Sequence, residues 1–431
     1  MTADFFSFFY ALNRHLEAHP DHLLALHFKE VDDFACSRCA QCCSLPWSVG
    51  ASEAYIQRWK PVFEAHEDPR FHDIFEAQAP DSPSGHMAHL RKQAGSTRCV
   101  LLDQDNLCLA QKHFGKEAKP QACQLYPYLW QRVGGPLQIS HLMQSCYLAP
   151  SYLLSAGELS YRLIPAEEAQ SAGGPLFPLL VTSGLAFSRE SLYLWLGFLL
   201  DHLLFESEKR SPLQNLRGFT PVLRRLLSLA SPETTSYVVS PAEIENLYQQ
   251  DLTWLGQSSS ALPLRQAYAL EWFLVHMPRT VMGESIHAFY TEVLQGKRQL
   301  PMLAEQEYAL IKTFLHNYLA RKLLSCHQWF TQRVNFFQQY LLFAAFPTLI
   351  QAQLLAYREL RAVPIDARLL GQAVNLIEGQ LLQSYLWLET HGFPQKSAEA
   401  CLEEAEKLLS FDLTRAPVPF KSRESRFKSG F

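Results

Sequence analysis

The sequence predicts a mainly α protein, in which an irregular, cysteine-rich metal-binding N-terminal module is followed by an all-α helical domain. Three observations carry that expectation. Eight of the ten cysteines lie between positions 36 and 146. Beyond about residue 160, apolar residues recur at three- and four-residue intervals over long stretches, the spacing that lines one face of a helix. No strongly alternating strand series interrupts those stretches. Residues 1–160 are thus expected to form a cysteine-cluster metal-binding domain, 161–414 a helical domain and 415–431 a flexible basic tail.

Composition sets the frame for both parts. A chain of 431 residues, 48% hydrophobic and 12% aromatic, is long enough for two or three domains with substantial cores. The formal net charge of −4 argues against a surface that coats nucleic acid and against a strongly acidic scaffold. The opening "MTADFFSFFYALNRHLEAHP" has neither the cationic start nor the unbroken apolar core of a secretory signal, which predicts a cytoplasmic, reducing location. The most apolar runs, 191–205 and 336–357, are broken by Asp201 and His202 and by Gln338, Gln339, Pro347, Gln351 and Gln353. Such interruptions predict buried helices and no membrane span.

The N-terminal module is read from its thiols. In a reducing compartment, clustered cysteines are metal ligands more often than disulfides. The run "FACSRCAQCCSLPW" (34–47) places Cys36, Cys39 and Cys42 two residues apart in turn, the three-thiolate step of a bacterial ferredoxin loop. A ferredoxin run continues with a cysteine where this chain has Pro46. A further ligand must therefore come from Cys99, Cys108, Cys123 or Cys146. Adjacent residues project in different directions in an extended chain, so Cys42 and Cys43 are not both expected on one mononuclear ion, and one of them is free to serve a second site or to pack internally. The candidate metal set is Cys36, Cys39, Cys42, Cys43, Cys99, Cys108, Cys123 and Cys146, with an iron–sulfur cluster as the first expectation.

Zinc is the alternative, since eight cysteines suffice in number for two four-sulfur sites. The later spacing, Cys99-x8-Cys108-x14-Cys123-x22-Cys146, lacks the second short pair of a zinc ribbon. His86 and His89, in "GHMAH", lie between the cysteine groups and read as surface or capping histidines. In "CVLLDQDNLCLAQKHFGKEAKPQACQLYPYLW" (99–130), a strand-like start leads through a polar turn at 103–106 to Cys108 and a short helix. Pro120 and Pro127 then bracket Cys123 and restrict the backbone around its thiol.

The helical domain follows from periodicity over 265–277, 303–326, 368–390 and 397–411, with breakers at 171–178, 231–234 and 258–263. Cys326 and Cys401 fall in these helices, where a lone thiol is a small apolar side chain. The end, "RAPVPFKSRESRFKSGF", carries two prolines and few large aliphatics, the composition of a solvated tail.

The set Cys36-x2-Cys39-x2-Cys42-Cys43, Cys99, Cys108 and "KPQACQLYPY" (119–128) resembles the CxxCxxCC family of zinc- or iron-chelating cysteine-cluster proteins. Within it, "CCSLPWSVGASEAYIQRW" (42–59), "HFGKEAKPQACQLYPY" (113–128) and "LMQSCYLAP" (142–150) look most like the flagellin lysine N-methylases. The helices around "FLHNYLARKL" (314–323) and "FFQQYLLFAAFP" (336–347) are similar more loosely. That resemblance implies an iron–sulfur cluster, S-adenosylmethionine as methyl donor, and a protein substrate with surface lysines. The chain departs from the pattern at Gln124, where many relatives have Arg, and at His316, where an acidic residue is expected before Asn317. Lysine methylation needs a neutral amine aligned with the sulfonium methyl; Tyr126, Tyr128 and Tyr318 suit such a pocket chemically, but no residue is assigned to catalysis and no donor pocket is located. Two other readings stay open: a non-catalytic iron- or zinc-binding protein, and a helical adaptor with a structural metal.

Overall fold

A computed structural model describes residues 4–45, 47–77, 88–155, 160–165, 179–182, 185–205, 210–229, 237–257, 270, 274, 283–324, 336–381 and 397–409. Pro46, His86, Cys326, the breakers at 171–178, 231–234 and 258–263, most of 265–277 and the tail at 415–431 lie outside them. The described residues are mainly helical with some sheet.

The chain begins with α1 (Phe5–Ala18), β1 (Leu24–Phe28) and α2 (Lys29–Asp33). The cysteine loop follows, and then β2 (Gly50–Ala51), α3 (Glu53–Glu64), β3 (Phe75–Ala77) and β4 (Ala88–Leu90). Next come α4 (Leu109–Phe114), α5 (Gln121–Leu125), β5 (Tyr128–Gly134), β6 (Leu137–Leu142), α6 (Ala149–Ser155) and β7 (Tyr161–Pro165). Short strands β8 (Leu179–Thr182) and β9 (Leu185–Phe187) precede α7 (Arg189–Leu204) and α8 (Pro212–Ser228). After β10 (Tyr237–Val239) the order is α9 (Pro241–Gln257), α10 (Glu284–Leu294), α11 (Glu305–Leu324), α12 (Phe336–Arg361), α13 (Ala367–Leu381) and α14 (Ala398–Leu408).

Residues 161–414 are not all-α, which corrects the sequence reading. Strands β8 and β9 pair antiparallel, and β10 pairs parallel to β9. All three residues of β9 are buried. A short strand covered on both faces reads as a continuous apolar run, indistinguishable by period from buried helix. The N-terminal part also carries sheet: β5-β6-β1-β7 in one and β2-β4-β3 in another. Position 160 falls just before β7, which pairs antiparallel with β1 through Leu26↔Leu163.

Helix α11 occupies most of the periodic stretch 303–326, and α14 most of 397–411. Ser188, Ser211 and Ser397 cap α7, α8 and α14 by accepting a backbone N–H through the side chain, each satisfying one of the orphan donors of a first turn. The 191–205 run forms α7, buried on nearly all sides. Its Asp201 carboxylate accepts the backbone N–H groups of Phe5 and Phe6 at 2.7 and 2.9 Å, so α7 holds the start of α1. The 336–357 run forms α12, long and apolar enough to cross a membrane by length and composition, with 89% of that window buried inside the protein.

The described residues form three apolar clusters. The largest joins α1, the β5-β6-β1-β7 sheet and the helices from α7 onward. A second surrounds Phe63, with Trp59, Phe71, Leu90, Leu101 and Leu109. In a third, Leu142, Cys146 and Ala149 pack with Phe34, Tyr126, Tyr128 and Tyr152.

Candidate metal centre

The cysteine loop turns by local backbone geometry. Arg38 and Ala40 adopt left-handed φ of 58° and 59°, a conformation that costs a non-glycine residue ~1–2 kcal/mol and that clusters at functional sites. The loop ends in a single 3-10 turn over Cys42–Ser44. It is tied to the next segment by backbone: the Cys99 N–H donates to the Cys43 carbonyl at 2.8 Å, and the Thr97 hydroxyl donates to Ser44 O at 2.7 Å. Lys92 Nζ donates to Leu45 O at 3.0 Å.

Cys108 is brought back beside this segment by a tight turn. Asp103 accepts the backbone N–H of Asp105 and of Leu107 at 2.9 and 2.7 Å, Asn106 is left-handed, and Leu102 bridges Cys108. Cys108 then stands at the N-terminal boundary of α4. Gly115 ends that helix with φ of 90°, a value glycine tolerates without a Cβ penalty. The chain turns there toward Pro120, which precedes α5 and its Cys123. Tyr55 on α3 pins the turn by donating to Ala118 O at 2.7 Å. Gln124 donates to Lys119 O at 2.6 Å and to Glu117 O at 3.3 Å, so the amide that replaces the expected Arg braces the same loop.

Cys146 is positioned from the opposite side by the helices. Asn375 on α13 donates to Ser145 O at 2.6 Å, while Gly371 lies so close to Tyr147 O that any Cβ would collide with it. Asn317 on α11 donates to Leu153 O at 2.9 Å. Its neighbour Arg321 forms a fully buried bidentate pair with Glu30 on α2, both contacts at 2.9 Å. Arg321 also donates to Asn317 Oδ1 at 3.1 Å. One polar network therefore joins the helix before Cys36 to the helix after Cys146. Tyr152 on α6 completes the link by accepting the Ala35 N–H at 2.9 Å.

All eight predicted cysteines line one cleft of about 1170 Å³. Cys36 is exposed, Cys146 is buried and the other six are half-buried. Sulfurs meet backbone donors in this cleft, as with the Arg38 N–H on Cys36 Sγ at 3.4 Å. Burial raises the Cys99 thiol to about 11 and the Cys146 thiol to about 11, opposed by the Leu101 N–H in the first case and the Leu148 and Ala149 N–H groups in the second. Burial also raises Cys108, and Cys123 to about 12. Cys42 and Cys43 lie with sulfurs 3.8 Å apart. The hydrogen bond from Cys42 lowers Cys43 to about 7, helped by Lys119, Lys92 and Arg98, and raises Cys42.

These residues fit a metal–thiolate group by their chemistry: soft sulfur donors converge on one cleft, and backbone N–H groups aimed at sulfur favour the thiolate that a metal binds. Among the described residues, no three His, Cys, Asp or Glu side chains stand at the mutual spacing of a single ion's ligands. His89 lies on β4 opposite Gly50 and does not line the cleft. Tyr126 and Tyr128 line it, Tyr126 edge-on to Trp47 with ring centroids 5.3 Å apart. Tyr318 is elsewhere, fully buried on α11 and bonded to Glu378. Cys401 is buried in the main core, away from the other thiols.

Sequence reasoning missed Glu30, Asn317, Arg321 and Asn375 as positioning residues, and Lys92 and Arg98 as the cations beside Cys43. A buried Arg within an apolar helix was the available signal, because such a charge requires a partner. No family model matches the chain, and neither a curated protein nor a solved structure matches it.

Proposed function

We propose that the chain is a cysteine-cluster metal protein whose irregular N-terminal module, 1–160, binds iron–sulfur through Cys36, Cys39, Cys42, Cys43, Cys99, Cys108, Cys123 and Cys146. The observation that carries this reading is the convergence of eight thiols, spread from position 36 to position 146 of the sequence, on one cleft. The group would supply soft-ligand binding and one-electron chemistry, and a reducing cytoplasm keeps its thiols available.

The resemblance to flagellin lysine methylases extends this to methyl transfer from S-adenosylmethionine to a protein lysine. Trp47, Tyr126 and Tyr128, which line the cysteine cleft, supply the apolar wall that would desolvate such an amine. Zinc in place of iron, without catalysis, is the competing outcome.

Anaerobic purification with elemental analysis separates these readings. Iron with acid-labile sulfide and absorption at about 400 nm is expected. A colourless chain holding stoichiometric zinc overturns the iron assignment, and a chain without metal overturns the whole reading. Cys36→Ser, Cys39→Ser and Cys42→Ser each release metal, whereas Cys401→Ser does not. Donor-dependent gain of one methylene mass on a lysine-bearing protein supports methyl transfer; lack of donor binding by calorimetry excludes it.

A further inference from the structure

The eight thiols fall into two groups when their surroundings are followed residue by residue. Cys146 packs in the small cluster of Leu142 and Ala149 with Phe34, Tyr126 and Tyr128. Cys99 and Cys108 instead pack against the Phe63 cluster. Backbone ties divide the same way. Tyr152, on the helix after Cys146, both accepts the Ala35 N–H and donates to the Ala35 carbonyl, beside Cys36. The Cys43 carbonyl accepts the Cys99 N–H, and Leu102 bridges Cys108. The two adjacent cysteines sit in a 3-10 turn, where successive side chains point roughly 120° apart.

We infer that the cleft holds two separate four-thiol centres, Cys36, Cys39, Cys42 and Cys146 in one and Cys43, Cys99, Cys108 and Cys123 in the other, divided by the Cys42–Cys43 pair. The inference rests on the metal reading above and assigns its ligands. Cys42 and Cys43 are the point where the two sets touch.

The two centres are built by different parts of the fold. The first is gripped by the helices, through Glu30, Arg321 and Asn317 on one arm and Asn375 on the other. The second is enclosed by α3, α4, α5 and the 91–102 segment, with Lys92, Lys119 and Arg98 supplying positive charge beside Cys43. Four thiolates around an iron–sulfur cluster leave net negative charge, which these lysine and arginine side chains offset. On binding, each coordinated thiol yields its proton to solvent and its sulfur pair to the metal, so no oxidant or reductant is needed.

The experiment uses the full chain and metal content per chain. Cys39→Ser or Cys146→Ser is expected to remove about half of the bound metal, and so is Cys99→Ser or Cys123→Ser. A double change within one set removes no more than either single change, and a double change across the sets removes all of it. Unaltered protein provides a second readout that is independent of mutant folding. Zinc is added in substoichiometric steps, free thiols are alkylated, and protected cysteines are mapped by peptide mass. Protection that rises together within each set of four supports two centres. Cys42 and Cys43 protected always in parallel, or single variants that each empty the chain, overturn the division. Metal uptake without division overturns this inference alone; no uptake overturns the metal reading with it.

Discussion

Cys43 shows how much one side chain's chemistry depends on neighbours that sequence does not juxtapose. Its lowered proton affinity comes first from the Cys42 hydrogen bond and then from Lys119, Lys92 and Arg98, the first of them 76 positions away. Two histidines present the opposite case. Burial lowers His141 to about 4, its Nδ1 bonding the Leu142 carbonyl, and burial with Lys312 nearby lowers His316 to about 4. Their folded values lie below the unfolded value of ~6.5. The stability they contribute is present above that unfolded value and is lost as pH falls toward the folded one, because the unfolded chain takes protons that the folded chain refuses. Chemical denaturation is expected to show falling stability from about pH 6.5 to 4, with uptake of ~2 protons on unfolding from these groups. A midpoint unchanged between pH 6.5 and 5 in wild type, or an unchanged slope in His141→Gln, contradicts it.

Helix α11 illustrates what an element contributes beyond its own periodicity. Its buried face carries Tyr318, Asn317 and Arg321 as well as aliphatics, and its polar groups reach α2 and α6. The Arg321–Glu30 pair is fully buried. Removing one partner of such a pair leaves an uncompensated charge and costs ~3–5 kcal/mol, whereas replacing both costs far less. Arg321→Met is therefore expected to lower the thermal midpoint sharply, and Glu30→Gln added to it to recover part of the loss. Because this pair sits at the arm before Cys36, Arg321→Met also loosens metal from that arm, measured as faster release to a chelator. Equal melting of single and double variants contradicts the pair's role. Strand β9 makes the complementary point: a run of three buried residues has no room to display a period of two.

At the scale of the molecule, the large core passes through α1, the central sheet and the late helices, while the Phe63 cluster stands apart. Metal removal is expected to act locally for that reason. Limited proteolysis of chelator-treated protein should cut first within 34–47 and 99–125, with α7, α8 and α12 protected, since metal binding energy is folding energy where few apolar contacts exist. Simultaneous loss of helices and cysteine segments, followed by circular dichroism, contradicts that order.

Much of this was legible in the chain. The cysteine segregation, the loop at 34–47, the polar turn at 103–106, the proline-bracketed Cys123 and the long helices α7, α11 and α12 all follow from local spacing, which is decided by backbone geometry within a turn or two. Not legible were the strands beyond residue 160, the Glu30–Arg321 pair across 291 positions, and the packing of Cys146 in one apolar cluster and of Cys99 and Cys108 against another. Spacing and periodicity are one-dimensional, so the chain alone shows eight thiols in one region and helical patterning through most of the rest. Packing of distant segments sets which thiols share a cleft and which helices border it, since burial and charge pairing arise only where those segments meet.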